Sequence, residues 1–581
     1  MPAFYNTDLD DDKVPDGQLT FEGGMFSNAK PRRIKPEQCA LLTDAIIEVT
    51  GEWSSRRGAP YLGGQVGSSA TAIRGLGYYR STGLVADFEI AAADTHIYYN
   101  NGGIWTQLGS QTFSGATPID IIQGGQGSQT TIQDDKLYFA NGGDLFRWNG
   151  TVYANLSFPE GAKTAPRNVS MICWHTGRLV AAGPFIKTRT ADTAAVPDAI
   201  YISDVLDVQN WGTTTYDTQI RVGGGDGADI TSIVSWKDFN LAVFKRNSVW
   251  VVNADPQFAI SDMQVQKVSD NVGCIARLSA VQVGNDILFL SDDGVRSLTQ
   301  TIASDQQHEL NLPLSFPIGD YIQRINWAFA SKACAIFWRN LYLLAVPLDS
   351  STGNNFIFVF NSLTGVWAGY WTNLPIANFA LTKGTVPKLI MGLTNDRRVL
   401  EYLDYINEAD ANDSTYIDYN NNPVVPTMIT REMAFSDEKA FKKGAEYEIE
   451  WNKSKGGAVI TPIIDEKELP QDSMDMSGGG FSFPFSIPLF IPKQGTQQKP
   501  FDLMRHPEFR GLQFKVATAG PGKKQMRQIV AKAFIGTEGP LFPVTGSVFP
   551  VPVPPPPDPR PPGPPPPRPP PEPPPHRRPP P

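Results

Sequence analysis

One phrase recurs along most of this chain: a short apolar strand, a tight turn, and a second strand ending in an aromatic residue. It reads HIYYNNGGIWTQL from His96, DKLYFANGGDLFRWNG from Asp135 and FNLAVFKRNSVWVVN from Phe239. It returns as NDILFLSDDGVRSL from Asn285, RNLYLLAVPLDSSTGNNFIFVFNSLTGVWAGYW from Arg339 and PKLIMGLTNDRRVLEYL from Pro387. A lone hairpin cannot bury its apolar face, so repeated hairpins must stack on one another. The spacing, roughly 40 to 60 residues, suits four-stranded blades carrying insertions, and therefore a β-propeller. Asn100 to Gly103, Asn141-Gly142-Gly143, Asp292-Asp293-Gly294 and Thr364-Gly365 supply turn residues that tolerate positive φ. Trp105, Trp148, Trp250 and Trp367 follow those turns and are expected to wedge between neighbouring blades.

The chain of 581 residues is long enough for two or three domains, and 41% hydrophobic with 19% charged residues describes a globular protein. A formal charge of −9 argues against broad nucleic-acid binding, which needs clustered Lys and Arg, while leaving room for a conduit along which a polyanion slides. Cys39, Cys173, Cys274 and Cys334 are widely separated and form no CxxC pair, so they are expected to be free buried thiols. The acidic opening MPAFYNTDLDDDKVPDG has no apolar core typical of a secretory leader, and no run of 18 apolar residues follows. Folding in a cytoplasm, without stable membrane insertion, is the expectation.

Organisation changes along the chain. Residues 1–20 are expected to be a flexible arm, and 21–420 a propeller with an N-terminal closing strand. Within that strand region, PEQCALLTDAIIEV from Pro36 suggests a short helix running into a strand at Ile46 to Val49. Sharing one blade between the first and last segments would close the ring and remove exposed strand edges. From about Asn421, alternation through Tyr447, Ile449 and Trp451, then Val459, Thr461 and Ile463, predicts a separate antiparallel β-sandwich over 421–538. Residues 539–581 are mostly proline and predict a disordered, polyproline-like tail. The fold class is thus all-β: propeller, sandwich, proline-rich tail.

No catalytic, cofactor or metal constellation emerges. The five histidines are scattered, and neither a GxSxG elbow nor a P-loop occurs. RVGGGDGAD from Arg221 has the glycines of a phosphate loop without its Lys-Ser/Thr, and reads as a connection between blades. Asp292 and Asp293 read as a hairpin tip, and the acidic run Asp8 to Asp16 as a solvated arm lacking the offsets of a calcium loop. The candidate interface is an aromatic insertion in the sandwich, Phe481, Phe483, Phe485, Leu489, Phe490 and Ile491, which is apolar enough to dock on its own domain, on a neighbouring subunit or on a membrane surface.

Three stretches carry a resemblance: PRRIKPEQCALLTDAIIEVTGEWSSRRGAPYLGG from Pro31, the blade phrases YNNGGIWTQLG and FNSLTGVWAGYW, and ITREMAFSDEKAFKKGAEYEIEW from Ile429. Together they resemble the tail nozzle (tail tubular protein B type) of short-tailed phages, over residues 20 to 536. The resemblance implies a non-enzymatic virion protein assembled in the host bacterial cytoplasm. It implies a homo-oligomeric ring, typically of six copies, beneath portal and adaptor, contacting tail fibres or spikes. Phage DNA would pass through it without sequence-specific binding. The proline-rich tail is not part of that family's pattern. Two other classes fit the residues: a glycan-binding or glycan-cleaving propeller, and a cellular protein-interaction scaffold.

Overall fold

The computed structural model describes residues 13–68, 72–81, 87–110, 112–113, 117–126, 134–156, 165–186, 195–212, 218–307, 312–436, 440–452, 454–475, 495–500 and 509–535. Within them the repeats form seven blades. Their innermost strands are Ile73–Arg80, Asp120–Gln126, Met171–His175, Ile230–Trp236, Val281–Val283, Cys334–Trp338 and Ile376–Leu381. Blades 1 to 4 and blade 6 have four antiparallel strands of their own; blades 5 and 7 have three. Each innermost strand packs against the next, and the seventh packs against the first, so the ring is closed.

Side-chain alternation explains why these strands read as continuous apolar runs. In strand Asp134–Ala140 of blade 2, Leu137 and Phe139 pack with blade 1 residues such as Tyr79 and Ile90. Tyr138 and Ala140 face the other way, onto Leu179, Ala181 and Tyr201 of blade 3. A blade buried on both faces needs apolar residues at every position rather than every second one. Trp148 fills the blade 1–2 interface, its ring 4.9 Å from that of Tyr79 and stacked at 6.0 Å on Tyr99. Near the axis the taper demands small residues. A Cβ on Gly124 would sit 2.3 Å from the Trp174 ring, and one on Gly77 2.5 Å from Ile121.

Ring closure uses the N-terminal segment. Leu62 and Val66 donate their amides to Val399 and Arg397 (2.7 and 2.8 Å), and Glu401 and Leu403 donate back to Pro60 and Gly58 (3.0 and 3.1 Å). Residues 58–66 therefore run along the outer edge of blade 7 in the place of its fourth strand, before the chain enters blade 1. Gly64 also donates to Gly103 of blade 1 (2.9 Å).

The sandwich differs from the sequence expectation in three respects. It is built from both chain ends. One sheet orders Ala45–Ile47, Trp53–Ser55, Gln525–Ile535, Lys442–Trp451 and Gly495–Pro500, with Lys13–Gln18 also paired to Gln525–Ile535. Residues 13–18 are thus a strand and not a flexible arm, because a long C-terminal partner strand lies open beside them. Nor is the sandwich separate. Its second sheet runs through Leu41–Thr43, Thr427–Ile429, Leu512–Ala519 and Gly457–Ile464, and Leu41–Thr43 also pairs in parallel with Val366–Trp371, making one ten-stranded sheet with blade 6. Finally, PEQCALLTDAIIEV forms no helix. Strands Leu41–Thr43 and Ala45–Ile47 lie in different sheets, joined at Asp44 with φ of 51°. Pairing with strands hundreds of residues away overrides the local helical signal. Tyr447 packs on Phe514 across the sandwich at 5.1 Å, and Ala458, Ile460 and Ile464 face inward in place of Val459 and Ile463.

One buried cation ties these parts together. Arg56, 1% exposed, places Nε 2.8 Å from Asp44 Oδ1 and forks onto Asp418 with Nη1–Oδ1 2.8 Å and Nη2–Oδ2 2.7 Å. It also donates to the carbonyls of Arg57 and Thr372 (3.0 and 3.3 Å) and lies 5.7 Å from the Trp371 ring. Burial works against the charge, but Asp418 and Asp44 outweigh it and raise the guanidinium pKa. Removing one partner of a buried pair leaves the other uncompensated, at a cost of roughly 3–5 kcal/mol. Arg56→Lys should lose most of that stability, since an ammonium cannot reproduce the fork. Thermal unfolding of Arg56→Lys and Asp418→Asn is expected to show large drops in Tm; a Tm within a degree or so of the parent would mean the junction carries little.

Candidate interaction surfaces

The predicted interface residues Phe481, Phe483, Phe485, Leu489, Phe490 and Ile491 lie outside the described residues. The strands flanking that insertion do not. Asp472–Asp475 pairs with Gly457–Ile464 in one sheet, while Gly495–Pro500 is an edge of the other. The proline-rich tail also lies outside the described residues.

Groups singled out as possible chemistry resolve into local structure. Asp226 of the RVGGGDGAD stretch accepts two hydrogen bonds from the buried Lys245 ammonium (2.6 and 2.8 Å). The loop between blades 3 and 4 is thereby pinned by an internal cation. Asp292 pairs with Arg246 at 2.8 Å and Asp293 with Arg296 across their hairpin tip. His175 is buried, with Nδ1 2.8 Å from Ser235 Oγ, and burial lowers its pKa, partly countered by a backbone hydrogen bond involving Phe239. Among the described residues, no three His, Cys, Asp or Glu side chains gather as a metal site.

Arg277 ties together the starts of several inner strands. It enters on the connection before blade 5 and reaches Asp120, at the start of the blade 2 inner strand, at 2.5 Å. It donates to the Ser170 carbonyl beside blade 3, while its own carbonyl accepts from Ser232 of blade 4. Burial raises the Asp120 pKa, with Arg277 and the Ile172 amide opposing it. Sequence reading missed this pair because its members stand 157 positions apart, with no local pattern marking either.

Five of the exposed large apolar side chains lie in one class of turn. Ile104, Val152, Val205, Phe258 and Leu363 are 72%, 60%, 37%, 48% and 62% exposed. Each lies at the turn between the third and fourth strands of a four-stranded blade, in blades 1, 2, 3, 4 and 6. Because the blades repeat one strand order around the ring, these turns share a face of the propeller.

The chain matches no family model, and no curated protein matches it. Solved structures with similar folds share little sequence. The N-terminal domain of Nup159 is 10% identical, with a TM-score of 0.32 over 62% of this chain and 98% of that one. An extracellular domain of a one-component system from B. thetaiotaomicron is 10% identical, with a TM-score of 0.37 over 76% of this chain and 58% of that one. PorZ, a surface component of the type-IX secretion system of Porphyromonas gingivalis, is 10% identical, with a TM-score of 0.32 over 72% and 48%.

All four cysteines are buried and unpaired. Burial pushes the thiol of Cys274 up to about 11 and that of Cys173 up to about 12, and those of Cys39 and Cys334 are raised further. A thiol reagent at neutral pH is therefore expected to label none of them in the native protein and all four in denaturant, because the thiolate is the reactive form. Rapid native labelling of any one, read by mass spectrometry, would contradict the packing described.

Proposed function

We propose that this chain is a structural, non-enzymatic virion protein of a phage tail, of nozzle or hub type. Several copies, six by the resemblance, would form a ring around the DNA exit channel, in contact with adaptor and fibre or spike proteins. Assembly would take place in the host bacterial cytoplasm. The resemblance of the stretches from Pro31 and Ile429 to tail nozzle proteins motivates this reading.

The observation that carries it furthest is mechanical. One ten-stranded sheet runs from blade 6 into the sandwich, and strands as far apart as Lys13–Gln18 and Gln525–Ile535 contribute to that sandwich. A backbone hydrogen-bonded across two domains resists hinge motion, as a load-bearing ring segment requires.

Quantitative mass spectrometry of nuclease-treated, gradient-purified particles tests the proposal. The chain should appear at a few copies for every several hundred capsid subunits. Its absence from particles would overturn the virion reading.

A further inference from the structure

In an acidic chain, the turn over residues 30–35 stands out as a rigid cationic projection. It carries Lys30, Arg32, Arg33 and Lys35 around a short 3-10 turn, Pro31–Arg33. The backbone is held on both sides. Arg33 donates to the Lys30 carbonyl (2.8 Å), Gln38 to the Lys35 carbonyl (3.0 Å), and Glu432 to the Pro31 carbonyl (3.1 Å). Ile34 is 6% exposed and anchors the turn. Its backbone is extended, with φ −75° and ψ 136°, so the side chains on either side of it emerge opposite to the buried one. Arg33 and Lys35 are accordingly exposed together, with Lys30 exposed at the start of the turn.

The neighbouring cations are already matched. Arg32 pairs with Glu432, and Arg431 pairs with Asp16. Among the described residues, Lys30, Arg33 and Lys35 form no ion pair, not even with the adjacent Glu37. Three unmatched positive charges within six residues, on a turn that cannot fold back to neutralise them, fit a polyanion better than a single acidic side chain.

We propose that this turn contacts the phosphate backbone of duplex DNA. The inference rests on the proposed DNA-conduit role and deepens it by naming residues that would touch the polymer. The chain's net charge of −9 repels DNA elsewhere, so the contact is local, weak, blind to sequence and quickly exchanged. Such a contact guides a moving strand without arresting it.

The test is fluorescence anisotropy of a labelled duplex of roughly 40 base pairs, titrated with the purified full chain at low salt. Three phosphate contacts predict that affinity falls by about 80-fold between about 20 and 100 mM salt. The triple variant Lys30→Gln, Arg33→Gln, Lys35→Gln alters only exposed side chains and should bind at least about tenfold more weakly at the lower salt, with an unchanged Tm. Equal binding by the variant overturns the proposal, as does failure of the parent chain to bind. Vesicles of phosphatidylserine in phosphatidylcholine serve as the other anionic surface. Capture by vesicles through the same three residues, without DNA binding, would reassign the turn to membranes. Particle composition is a separate measurement, so loss of the DNA contact would leave the virion reading standing.

Discussion

The N-terminal segment, the end of blade 6 and the connection after blade 7 meet at Arg56. Its guanidinium faces Asp44 from the N-terminal segment, Asp418 from the connection after blade 7, and Thr372 and Trp371 at the end of blade 6. The same carboxylates serve the backbone: Asp44 accepts from the Thr372 amide (2.9 Å), and Asp418 from the Ala59 amide (3.1 Å). Isolated, each of these charges would be expensive to bury. Assembled, they define one geometry in which the N-terminal strap (residues 58–66), ring and sandwich must all be present.

That constraint orders the rest. Just upstream of Arg56, Leu41–Thr43 joins blade 6 to the sandwich; just downstream, residues 58–66 complete blade 7. Lys13–Gln18 and Trp53–Ser55 pair with Gln525–Ile535, and Leu41–Thr43 with Val366–Trp371 and Thr427–Ile429, so these early strands depend on partners hundreds of residues later. Edge strands are guarded meanwhile. In Lys13–Gln18, Pro15 has no amide to offer, and the Gly17 amide is taken by the Asp16 side chain at 2.8 Å.

Much of the fold was legible in the sequence because its signals are local. Hairpin turns at Gly102, Gly142 and Gly365 have positive φ, and the strands around them follow the recurrent phrase. The aromatic wedges were legible too, since Trp148 and Trp105 are nearly buried against neighbouring blades. What could not be read was long-range. Nothing near Leu41 announces pairing with Tyr370 and Met428, nothing near Lys13 announces Phe534, and nothing near Arg277 announces Asp120. Blade number was hidden for the same reason: blade 7 borrows its outer edge from the far end of the chain, so the count of repeats and the count of blades need not agree. The basic turn over residues 30–35 was not read from the sequence, since its free cations emerge only once Glu432 and Asp16 are seen to occupy Arg32 and Arg431.

The central physical claim is that strap, ring and sandwich open together. Native-state hydrogen exchange tests it through the amides of Leu62 and Val66 on blade 7, and of Ala40 and Asp44 at the bridge between blade 6 and the sandwich. A single cooperative body predicts one shared opening free energy for all four, falling together in Arg56→Lys. Opening of Leu62 and Val66 at much lower free energy than Ala40 and Asp44 would contradict it, and would make the strap a loosely attached edge on a propeller that stands without it.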